Sequence, residues 1–86
     1  MKAVVFNENG GVDTLHYAEM EKPKISPYEV LVKVKACALN HIDIWVRQGI
    51  PGIDIPMPHI SGSDIAGEIA EAGMEVKNFR PGDKIL

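Results

Sequence analysis

The sequence predicts a mostly β fold with one short helix, and three observations carry that prediction. Eight glycines and six prolines punctuate 86 residues. They fall at Gly10-Gly11, Pro23 to Pro27, Gly49 to Pro58, Gly62, Gly67, Gly73 and Pro81-Gly82, leaving intervals mostly too short for a helix of average length. The stretch Glu29–Cys37 alternates: Val30, Val32, Val34 and Ala36 point one way, Lys33 and Lys35 the other. That is the period of a strand with one wet face. Asn40–Gly49 alone changes to helical spacing, through Ile42, Trp45 and Val46. A chain of this length makes one small domain with a thin core.

Taken in order, Lys2–Phe6 is the first strand, stopped by the turn-rich Asn7-Glu8-Asn9-Gly10-Gly11. Leu15–Met20 alternates well enough to return as a hairpin partner. Pro23 and Pro27 mark an irregular crossing into the strand Glu29–Cys37. Asn40 is a good N-cap, and Asp43 then occupies the third helical position, near the positive end of the helix dipole. Gly49 stops the helix. Residues 50–60 hold three prolines in an apolar background and form an extended loop over the core. Ser63–Glu71 is a further strand, with Ile65, Gly67 and Ile69 on one face. Gly67 within it indicates a bulge or a close backbone approach. Phe79-Arg80-Pro81-Gly82-Asp83 is a Pro-Gly turn of type II, because glycine accepts the positive φ. Lys84-Ile85-Leu86 begins another strand, and the chain is expected to be the N-terminal piece of something longer.

Composition excludes several classes. Hydrophobic residues at 45% and charged ones at 24% are globular values. A net charge of −3 gives no electrostatic reason to approach nucleic acid or an anionic membrane. No apolar run approaches the ~20 residues of a membrane span. The single cysteine permits no internal disulfide and fits a reducing, cytoplasmic setting.

Few residues offer chemistry. His16 lies mid-strand on the solvent side, His41 opens the helix, and His59 sits in the proline loop. None has metal-ligand spacing such as H-E-x-x-H. Cys37 is expected to be a small buried hydrophobe. Gly62, Gly67 and Gly73 fit neither G-x-G-x-x-G nor the P-loop pattern, so no phosphate cradle is present. Ser63 lacks the G-x-S-x-G setting of a nucleophile elbow. Spacing and composition by themselves stop at a small all-β intracellular domain.

Four stretches carry a resemblance, in a fixed order: Met1-Lys2-Ala3-Val4-Val5, the run from Glu29 through Asn40-His41-Ile42-Asp43, Gly62-Ser63-Asp64-Ile65-Ala66-Gly67-Glu68-Ile69, and Phe79-Arg80-Pro81-Gly82-Asp83-Lys84-Ile85. Together they resemble the N-terminal, GroES-like part of the medium-chain dehydrogenase/reductase superfamily. The resemblance implies a partial GroES-like β-barrel with one short helix over residues 1–86. It also implies that the nicotinamide cofactor, NADPH or NADH, binds a Rossmann domain outside this stretch, and that these residues bind none by themselves.

Zinc members of that superfamily place a cysteine ligand where Asn40 stands and a histidine ligand where Ser63 stands, in a Gly-His-Glu triplet that here is Gly62-Ser63-Asp64. Ile42 replaces the Ser or Thr of the proton relay. The resemblance therefore implies that catalytic zinc is absent, and it is strongest to the zinc-free quinone oxidoreductase branch. The activity implied is hydride transfer from NAD(P)H to a quinone, enone or similar carbonyl acceptor in a longer parent, this segment being one wall of the substrate cleft and inactive alone. Asn40 is the expected contact to the acceptor oxygen, or the helix cap, or both, since its amide offers an acceptor and a donor. Asp43 is expected behind it. Trp45, Ser63 and Asp64 are the other cleft candidates, Trp45 having a competing reading as a core residue. The partner implied is a small-molecule carbonyl or quinone, with room for a homo-oligomer. Two alternatives stay open: a fragment of a zinc-type alcohol dehydrogenase, and a stand-alone GroES-like binding or assembly module.

Overall fold

The computed structural model describes all residues from 1 to 86. It is mostly strand with one helix, divided into two units: residues 1–21 with 39–62, and residues 22–38 with 63–86.

In the first unit β1 (Lys2–Phe6) lies between β2 (His16–Glu19) and β4 (His59–Ile60), both antiparallel to it. The β1–β2 hairpin is the predicted one, with β2 a residue shorter at each end. Its open end is tied by the N-terminal ammonium donating to the Met20 carbonyl at 2.8 Å, and by the Met20 N–H donating to the Met1 carbonyl at 2.7 Å. Val5 and Phe6, at the end of β1, are fully buried, and each such side chain contributes roughly 1.5–3 kcal/mol. The Phe6 ring meets the His59 imidazole at 5.3 Å between centroids, which gives His59 a packing role. The proline loop was expected to carry no strand. It forms β4 because His59 and Ile60 find partners on β1, a pairing set across more than fifty residues that no local pattern announces.

Helix α1 (His41–Gln48) belongs to this unit. Its predicted start, third-position aspartate and Gly49 stop all hold, the Gly49 N–H donating to the Trp45 carbonyl at 2.9 Å.

In the second unit β5 (Asp64–Ala72) lies between β3 (Val30–Ala38) and β6 (Lys84–Ile85). The β3–β5 ladder slips twice, between Leu31 and Val32 and between Val34 and Ala36. These slips break the clean alternation read from the sequence: Val34 is exposed along with Lys33 and Lys35. Ile69 is the buried side chain here. Gly67 is buried beside it, and a Cβ there would lie 2.3 Å from the Lys33 carbonyl oxygen. The close approach foreseen at this glycine is real. The turn after Arg80 is also as expected: Gly82 has φ +96°, and the Asp83 N–H donates to the Arg80 carbonyl at 3.1 Å.

Neither sheet closes into a barrel, and three fully buried apolar side chains make a core as thin as the length implies. No helix is long and apolar enough to cross a membrane.

Candidate functional site

The first turn of α1 gathers most of the polar candidates. Asn40, the N-cap, is extended (φ −126°, ψ 161°). The Asp43 carboxylate accepts the Asn40 backbone N–H at 2.8 Å, and the Asp43 N–H donates to the Asn40 carbonyl at 3.0 Å. With the Asn40 side chain turned to the same N–H, this is a capping box. Asp43 thus fixes the backbone beneath Asn40 and also places negative charge at the positive end of the helix.

The helix presents a different face to its unit than the spacing suggested. Asp43, Val46 and Arg47 are half-buried, whereas His41, Ile42 and Trp45 are exposed. Trp45 is 53% exposed and is not a core residue in this chain. Its indole receives the His41 ring edge-on, at 4.9 Å and 77° between planes. Leu39, just before the cap, is 78% exposed. Sequence reasoning missed the C-terminal anchorage of the helix. The Asn9 amide donates to the Val46 and Arg47 carbonyls at 3.1 and 3.3 Å. The Gly10 N–H donates to the Arg47 carbonyl at 2.9 Å, and the Arg47 Nε returns a bond to the Gly10 carbonyl at 3.2 Å. The turn-rich Asn7–Gly11 string was the available signal, but its partner lies 37 residues away.

Ser63 and Asp64 belong to the other unit, at the start of β5, where Asp64 pairs in register with Ala38. Both are exposed. Cys37, expected to be buried, is exposed as well; past the second slip in β3 no side chain of that strand is covered. The second unit has two concavities that no motif indicated. One of about 300 Å³ is lined by Tyr28, Val30 and Glu75 to Phe79, the other of about 360 Å³ by Lys22 to Ile25, Leu31 and Glu71.

The donor set does not suit zinc. That ion takes thiolate, imidazole and carboxylate. Asn40 and Ser63 offer a neutral amide and a hydroxyl, and no three His, Cys, Asp or Glu side chains come together. The N-terminal end of α1 already holds its own Asp43 carboxylate, which accepts the Asn40 N–H.

Residues 26–86 match the family of the alcohol dehydrogenase GroES-like domain. The chain belongs to this family. The GroES-like domain here is 39% identical, over the whole chain and 25% of the relative, to a zinc-type alcohol dehydrogenase-like protein of Schizosaccharomyces pombe. It is 40% identical to a chloroplastic NADPH-dependent alkenal/one oxidoreductase of Arabidopsis thaliana, covering 99% of the chain and 22% of that protein. Among solved structures, an NAD-dependent alcohol dehydrogenase matches at 43% identity and TM-score 0.90, over 98% of this chain and 24% of that one. The quinone oxidoreductase of Escherichia coli complexed with NADPH matches at 27% identity and TM-score 0.88, over 98% and 26%. The chain thus spans about a quarter of the length of the proteins it resembles. These are medium-chain dehydrogenase/reductase proteins, and the two open sheets with one helix are a partial GroES-like fold of that kind.

Proposed function

We propose that this GroES-like domain works within a longer NAD(P)H-dependent oxidoreductase that reduces a quinone, an enone or a similar conjugated carbonyl without catalytic zinc. In this reading the exposed start of α1 lines the substrate cleft. The observation that carries it is the Asn40–Asp43 capping box: the backbone under a neutral amide is fixed by two hydrogen bonds of 2.8 and 3.0 Å at the position where metal-dependent members hold a thiolate.

A metal supplies Lewis acidity to a simple aldehyde. A conjugated acceptor needs less help, since it spreads the incoming charge over its π system. The Asn40 amide N–H, held by its cap, donates to the oxygen on which that charge grows. Asp43 keeps the cap in place and takes no part in proton transfer. Trp45 offers an exposed indole as a flat wall for the conjugated plane. The nicotinamide cofactor supplies the hydride and is bound by the rest of the protein, so the 86-residue chain by itself reduces nothing. A single cysteine supports a reducing compartment, and the reading sets the parent in the cytoplasm.

Kinetics of the complete protein test this. Asn40→Ala lowers kcat with a quinone or enone by roughly 10²-fold, the loss expected for one donor to a developing oxyanion, and chelators leave the wild type unchanged. Stoichiometric zinc required for turnover would overturn the reading. That outcome would install the second reading, a zinc-type alcohol dehydrogenase with its ligands elsewhere, which the Schizosaccharomyces pombe relative favours by its description.

A further inference from the structure

We infer that Asn9 is a positioning residue, an external C-cap that sets the first turn of α1 from the far end of the helix. The inference rests on the proposed use of Asn40, but its geometry does not. An α-helix leaves its last carbonyls without partners, and they are met by water, by a cap or by another part of the chain. Here the two carbonyls of Val46 and Arg47 are met by one side-chain amide from the β1–β2 connection. The bond from Gly10 to the Arg47 carbonyl and the returned bond from the Arg47 guanidinium make the clasp two-way. Gly49, which follows the helix with φ +102°, lies against Asn9, since a Cβ there would be in ordinary contact with its side chain at 3.4 Å.

α1 has eight residues and no fully buried side chain. Helices this short owe little to their own propensity and are held by what they dock against. Val46 and Arg47, in the half that Asn9 grips, are half-buried, and in the first turn only Asp43 is. The rest of the first turn, His41, Ile42 and Ile44, is exposed beyond that grip. A rigid helix transmits a rotation at one end to the other, and a misplacement of ~1 Å at a reacting group costs on the order of 10²-fold in rate. Asn9 therefore fixes where the Asn40 amide sits without touching the acceptor.

The test is the isosteric Asn9→Asp exchange in the complete protein. It keeps the shape, removes the donor, and sets a negative charge against the negative end of the helix. Asn9→Asp is expected to be worse than Asn9→Ala, lowering kcat by at least about 10-fold with KM for the acceptor little changed. Hydrogen exchange at Asn40 to Asp43 and at Gly49 should quicken while the β1–β2 amides stay as in wild type. A role in packing alone predicts the reverse order, with Asp near neutral and Ala damaging, and that order would overturn the inference. So would unchanged exchange at Asn40 to Asp43 in both variants. The two readings fail separately. If Asn40→Ala turns over normally while Asn9→Asp still loosens α1, the proposed function falls and the clasp stands. If Asn40→Ala is inactive and Asn9→Asp leaves α1 protected, the clasp alone falls.

Discussion

Asn40–Asp43 and Arg80–Asp83 are closed by the same pair of hydrogen bonds, yet one opens a helix and the other a strand. In each, the carboxylate three residues on accepts the N–H of the first residue, at 2.8 and 2.9 Å. In each, the N–H of that acidic residue donates back to the first carbonyl, at 3.0 and 3.1 Å. Ser26–Glu29 repeats the pattern at 2.8 and 3.1 Å. The bonds therefore do not choose the structure that follows. The residues between and beyond them do. His41 to Gln48 contain no glycine or proline and continue helically. Pro81 and Gly82 force a turn with φ +96°, and Lys84–Ile85 pairs with β5. Ser26 to Glu29, with Pro27 at its second position, leads into β3.

The largest effect should come from removing the residue that separates the Arg80 turn from the Asn40 helix start. Gly82→Ala keeps both bonds of the Arg80 turn but denies the backbone its positive φ. No atom lies within 4 Å of the added Cβ, so the cost is conformational, about 1–3 kcal/mol of unfolding free energy by urea titration. A neutral result would mean that the turn does not depend on that dihedral. Next come the carboxylates. Asp43→Ala should cost about 1 kcal/mol, as loss of a cap does, and reduce the helical signal in far-ultraviolet circular dichroism. Asp83→Ala loses an exposed hydrogen bond, about 0.5–1 kcal/mol, with that signal unchanged. Equal effects on the helical signal would erase the distinction drawn above.

The smallest effect concerns Glu29. The Ser26 backbone N–H, and after it the Ser26 hydroxyl, hold its carboxyl below the usual carboxylate range. A depressed pKa in the folded state favours folding above the free carboxyl value, and that contribution fades as pH falls through the lowered one. Acid titration of stability should therefore be shallower in Glu29→Gln than in wild type below the ordinary glutamate range. Identical acid slopes would remove Glu29 from the account.

What the sequence disclosed, and what it hid, divides along the same line. The Asn40 cap, the third-position Asp43, the Gly82 turn and the tight Gly67 approach are each written within a few residues, because backbone geometry there is imposed locally. The β1–β2 hairpin was visible for the same reason. The β4 pairing, the Asn9 clasp and the Phe6–His59 contact join residues dozens apart, and nothing in either partner names the other. The two slips in β3–β5 misled the alternation argument at Val34; Cys37 was expected to be buried from its residue type alone, although the alternation sets it on the side of Lys33 and Lys35. Trp45 misled for another reason: an apolar residue at helical spacing says that a face exists, not that this chain covers it.

That open indole has a practical consequence. Trp45 is the single tryptophan of the chain, and it stands beside His41 on the turn proposed to meet the acceptor. Within these 86 residues its emission therefore reports on that one location without a label. Collisional quenchers should reach it freely, and a quinone arriving over the helix should dim it in proportion to occupancy, so binding can be followed by light before any turnover is measured.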